Sequence, residues 1–168
     1  NAVTLNNAAT LRGIGATPPA IAGGIITISN SATVTAVTGT DTDVLILGNS
    51  TNDLTGGGGG AVTIVVNGPG TIAAGYNDSP NGTLTANWNV TGGTLRVDYA
   101  TALGVGNAVR VNGGTLAYHD THESYIANPI TLTIGRLGGI GYDAFFSGAV
   151  TVDGGASVVL NDLVSTGT

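Results

Sequence analysis

"WNVTGGTL", Trp88 to Leu95, and "VRVNGGTL", Val109 to Leu116, are one phrase written twice, twenty-one residues apart. In each, two apolar residues flank a polar one, a turn follows, and Thr with an aliphatic residue resumes the pattern. Extended backbone sends successive side chains to opposite faces, so Val109 and Val111 point one way and Arg110 the other. "NGG" turns a corner, because glycine carries no Cβ penalty in left-handed backbone. Beyond the corner, Leu116 and Tyr118 of "TLAY" again share a side.

The phrase recurs along the chain. It reads "VTLNNAATL" from Val3, "ITISNSATV" from Ile26, "IVVNGPGTI" from Ile64 and "VTVDGGASV" from Val150. Two further apolar triplets, "VLILGN" from Val44 and "ITLTIG" from Ile130, fall in the gaps. A period near 21 residues with no i, i+3, i+4, i+7 apolar stripe points to a β-solenoid, each repeat forming one coil. The sequence therefore predicts an all-β, right-handed parallel β-helix of about eight coils, each of roughly 21 residues. One coil cannot bury its own aliphatic residues. Coils stacked at about 4.8 Å bury them against each other and give a rod of roughly 35–40 Å.

Composition agrees. Of 168 residues, 42% are hydrophobic but only 5% aromatic, so the core is built from Val, Ile, Leu and Ala. Thr, Val and Ile suit a pleated surface, and the 29 glycines with many Asn supply turns. Residues 1–168 read as a single β-helical segment, and the opening Asn1 suggests a piece of a longer surface protein or fibre. The cations are Arg12, Arg96, Arg110 and Arg136, with no Lys, and the net charge is −6. Such a surface repels phosphate backbones, which argues against nucleic acid as a partner. No run approaches the roughly 18 apolar residues of a membrane span.

Residues Thr91 to Leu132 carry a closer likeness. Gly92-Gly93-Thr94-Leu95, Ala102-Leu103-Gly104, Val109 through Leu116 and Asn128-Pro129-Ile130-Thr131-Leu132 resemble the autotransporter-associated β-strand repeat of bacterial surface proteins. That stretch is about a quarter of the chain, and the flanks match more loosely. The resemblance implies a right-handed parallel β-helix in a secreted, passenger-like stalk at the bacterial cell surface. It brings no catalytic residues. Two segments depart from it: His119 to Glu123, and the pentaglycine Gly56–Gly60.

Candidate sites are few. His119, Asp120, His122 and Glu123 put both histidines and the only glutamate into five residues. Imidazole with carboxylate suits Zn²⁺ or Ni²⁺, yet H-x-x-H off a helix lacks the spacing that makes such motifs specific. The reading adopted is a solvated loop between coils without metal. Within it, His119 lies one period from Asp98, both on the outward side. Asp41 and Asp43, with Asn49 and Asp53, offer hard oxygens of the kind Ca²⁺ takes, but the pattern occurs once, and Asp and Asn cap turns far more often. No cofactor is expected. The pentaglycine lacks the Lys and helix of a phosphate loop and reads as a flexible loop. "GYNDSPNGT", Gly75 to Thr83, is turn chemistry. Trp88 takes a slot that other coils fill with Val or Ile, and is assigned to the core rather than to sugar stacking.

Elsewhere carboxylates and arginines scatter, whereas polysaccharide-degrading β-helices need carboxylates converging in a cleft. The expectation is a non-catalytic extracellular structural or adhesive module, a stalk or filament segment. Its partners would be neighbouring coils or identical copies stacked end to end, with host or surface glycans beyond. The alternative is a carbohydrate-binding or polysaccharide-degrading β-helix, marked by outward aromatics and converging carboxylates in a groove.

Overall fold

The computed structural model describes residues 2–15, 19–119, 125–140 and 146–153, and the backbone of 158–163. These residues form strands and turns with no helix, and every strand pair is parallel. The chain is a β-solenoid.

Three faces build it. The first stacks β1 (Val3–Leu5), β4 (Ile26–Ile28) and β7 (Leu54–Gly56). The second stacks β2 (Thr10–Gly13), β5 (Thr33–Thr38), β8 (Val62–Asn67), β10 (Ala86–Val90), the start of β12 (Val109–Tyr118), the start of β13 (Ile130–Ile140) and β14 (Val150–Val152). The third stacks β3 (Ala20–Ala22), β6 (Val44–Leu47), β9 (Thr71–Ala74), β11 (Thr94–Val97), the ends of β12 and β13, and β15 (Val158–Leu163).

Alternation and register together make the core. On the second face Val34, Ile64, Trp88, Val109 and Ile130 lie one above another, beside a column of Ala36, Val66, Val90, Val111 and Leu132. On the third face Leu45, Ile72, Leu95, Leu116 and Leu137 form the matching column. All of these side chains are buried. Each Val, Leu or Ile among them contributes about 1.5–3 kcal/mol relative to exposure. Trp88 is a core residue, and its indole N–H donates to the carbonyl of Leu103 at 3.0 Å.

The coil count differs from expectation. The second face holds seven rungs, hence about six turns rather than eight. Val44 does not open a new coil: it sits on the third face and pairs with Thr71, while Ile26 pairs with Leu54. Apolar triplets of the same grammar occur on two faces of one coil, so counting triplets overcounts turns. The period also varies. Val34 meets Ile64, thirty residues on, whereas Trp88 meets Val109 after twenty-one. The early coils spend the excess in longer connections that include the first-face strands β4 and β7.

The corner between second and third faces follows the glycine expectation. Gly93 has φ +61°, and a Cβ there would run into the carbonyls of Gly68 and Gly70 on the rung below. A different corner has a polar solution that the sequence reading overlooked. Asn128 Nδ2 donates to the carbonyls of Gly104 and Asn107 at 2.9 and 2.8 Å, and Asn107 Nδ2 to those of Leu84 and Leu103 at 2.8 and 2.7 Å. Asn81 donates to Ala102 at 3.0 Å. All three asparagines are buried, and they satisfy turn carbonyls that would otherwise be costly to desolvate.

Leu95→Ala removes one member of a fully packed column and should destabilise the protein by about 2–5 kcal/mol in urea unfolding. Arg110→Ala breaks a half-exposed ion pair with Asp153 at 3.4 Å and should cost no more than about 1 kcal/mol.

Candidate functional site

Ala74, Val97 and Tyr118 stack in register at the end of the third face. The next residue on each rung, Gly75, Asp98 and His119, therefore stands at the same corner. Backbone pairing continues there, from Asp98 N–H to the Ala74 carbonyl at 2.9 Å and from His119 N–H to the Val97 carbonyl at 2.8 Å. The pairing of Asp98 with His119 expected from their spacing is present, with Nδ1 of His119 3.4 Å from Oδ1 of Asp98.

Arg96 completes the group. It reaches over its own strand and forks onto Asp98, Nε to Oδ1 at 2.8 Å and Nη2 to Oδ2 at 2.7 Å. Its neighbours on adjacent rungs are Ala73 and Ala117, whose small side chains leave room for the guanidinium along the sheet. Asp98 is only 6% exposed despite its outward position. Burial pushes its pKa above the usual carboxylate value of 3.8, against the downward pull of Arg96 and of His119.

The loop after β9 forms the other wall. Tyr76, Asn77 and Asp78 face Arg96, Asp98 and His119 across a surface cleft of about 230 Å³. Asn77 and Asp78 both have φ +55°, left-handed backbone that Asn and Asp tolerate better than most residues. The N–H of Ser79 closes the loop onto the Gly75 carbonyl at 3.0 Å. The sequence read Gly75 to Thr83 as turn chemistry and left Asp78 among the scattered carboxylates, apart from the Asp98–His119 pair. The fold brings these two carboxylates to one cleft, because the loop leaves β9 one rung below β11 and folds back along the flank. Only the turn-forming residues were legible. The direction of the fold-back was not.

Of the metal candidates around His119, Asp120, His122 and Glu123 lie outside the described residues. Asp43 is a turn cap. Its Oδ1 accepts from Gly15 N–H at 2.9 Å, and its Oδ2 from Gly39 and Thr40 N–H at 3.0 and 2.8 Å. The Gly15 bond and then that of Thr40 hold its pKa below 3.8, against the opposing effect of burial. Asp53 accepts from Asn49 N–H at 3.0 Å, and Asp41 is exposed on its turn. Among the described residues no three His, Cys, Asp or Glu side chains converge as a metal group. Gly56 ends β7, Gly57 is buried against Thr85 with φ +80°, and the N–H of Gly60 bonds to the Gly57 carbonyl at 3.0 Å.

A scan against protein-family models, and searches of curated proteins and of solved structures, give no match.

Asp43 and Asp98, both buried, have opposite pH signatures. Asp43 has a lowered folded pKa, so its contribution is present above 3.8 and fades as pH falls through the folded value. Asp98 has a raised folded pKa, so its contribution is full below 3.8 and declines as pH rises through that higher value. Asp43→Ala should lower the thermal midpoint at pH 7, and the gap from the parent should close as the pH drops below 3.8. Melting curves across pH 2–7 check this.

Proposed function

We propose that the chain is a non-catalytic structural segment of a bacterial extracellular surface protein, a rigid rod whose outward loops carry recognition. The supporting observation is the unbroken column of aliphatic side chains beneath continuous parallel ladders. A coil in such a column touches only its neighbours, so length grows by stacking while cross-section and stiffness stay the same. The composition of the chain and the likeness of Thr91–Leu132 to autotransporter-associated β-strand repeats point the same way.

The first rung offers an edge for a second copy to stack on. β1, β2 and β3 each pair on one edge alone, with β4, β5 and β6. Val3, Ile14, Ile21 and Ile25 are exposed there. Open edges and bare aliphatic residues of this kind are what a second copy of the rod would cover.

Pulling single molecules between globular handles tests the mechanical role. A rod should resist forces that unfold ordinary helical handle domains, then yield in steps near one winding. Twenty-one residues released per step lengthen the chain by about 70 Å. Yielding before the handles, or release of reducing ends from a panel of polysaccharides, would overturn the proposal.

A further inference from the structure

We propose that the cleft between Tyr76–Asp78 and Arg96–Asp98–His119 is a binding site for one ring of a neutral saccharide. The lining has the required chemistry. Tyr76 offers an aromatic surface for the apolar C–H face of a sugar, and Asn77, Asp78, Asp98, Arg96 and His119 offer donors and acceptors for its hydroxyls. Saccharide recognition needs both, since a sugar ring is apolar on its faces and polar around its rim.

The polar groups are also held in place. Asp98 is clamped by the two-bond fork from Arg96 and touched by His119, so its oxygens keep their direction without a ligand. The opposite wall is closed by the Ser79 N–H bond to the Gly75 carbonyl at 3.0 Å. Preorganised groups lose little entropy on binding.

Charge selects the class of ligand. An acidic sugar would have to displace Asp98 from the Arg96 fork and approach Asp78 across the cleft. A metal cation meets the Arg96 guanidinium already seated on Asp98. At about 230 Å³ the cleft falls below the roughly 300–1,000 Å³ of sites for drug-sized ligands, a size for one ring with the rest of the chain outside. The site spans three rungs, so a rod of stacked coils would present it on its flank.

The test uses the full chain against an array of neutral and uronic-acid or sialylated oligosaccharides, followed by NMR titration with the best neutral binder. Resonances of Tyr76, Asp78, Arg96 and His119 should move together, and those of Thr131 and Thr133 on the second face should not. Tyr76→Ala should weaken binding at least about tenfold, and Asp98→Asn should weaken it too, while Arg110→Ala leaves it unchanged. Melting curves establish that each variant is folded. If Asp98→Asn does not fold, Tyr76→Ala alone decides. No neutral saccharide bound at concentrations well above a millimolar Kd, tighter binding of acidic sugars, or unaltered binding by folded Tyr76→Ala would each overturn the proposal.

Discussion

Every part of this molecule depends on parallel pairing in register. A strand that slipped by one residue would turn its whole apolar set outward, because side chains alternate with a period of two. Thus Leu45, Ile72, Leu95, Leu116 and Leu137 must meet in line or the column fails. The corners exist to preserve that alignment. Gly93 allows one rung to turn directly above the carbonyls of Gly68 and Gly70, where any side chain would force the rungs apart. Asn107 and Asn128 do the same job at another corner by different means, tying turn carbonyls of successive coils together through side-chain amides.

This constraint explains what could be read from sequence. Where coils have equal length, as between Trp88, Val109 and Ile130, recurrence at twenty-one residues is recurrence in space, and even Asp98 and His119 could be paired by counting. Where coils lengthen, the count misleads. Val44 looks like the start of a coil because the third face uses the same apolar alternation as the second, and no local feature of "VLIL" says which face it belongs to. The buried asparagines had a visible signal in the twenty-one residues separating Asn107 from Asn128, each two residues before an apolar triplet. In a chain so rich in Asn, that signal is hard to tell from turn chemistry.

The outward polar residues show how the same scaffold treats two carboxylates in opposite ways. Asp43 accepts from three backbone N–H groups, so the fold favours its ionised form. Asp98 is roofed over by its own rung's arginine and by the next rung's histidine, yet burial outweighs both and favours its neutral form. The first arrangement is what a turn needs. The second is a poor way to add stability, since a buried ion pair repays its desolvation only when the geometry is excellent, and often not then.

That asymmetry bears on why the flank is not uniform. A solenoid that served only as a spacer could place Ala or Thr at position 96 and a turn residue at 98, as Ala73 and Ala117 do on the rungs beside Arg96. Instead one rung carries a fork of Arg on Asp, the rung below sends back a loop with two left-handed residues, and the rung above supplies an imidazole. None of these three departures is required by the column inside. The fork costs charge burial at Asp98, and all three meet in one cleft. A repeat architecture makes such a meeting easy, because residues a period apart are neighbours. Chemistry can therefore be assembled on the outside, one residue per coil, without disturbing the packing that holds the rod together.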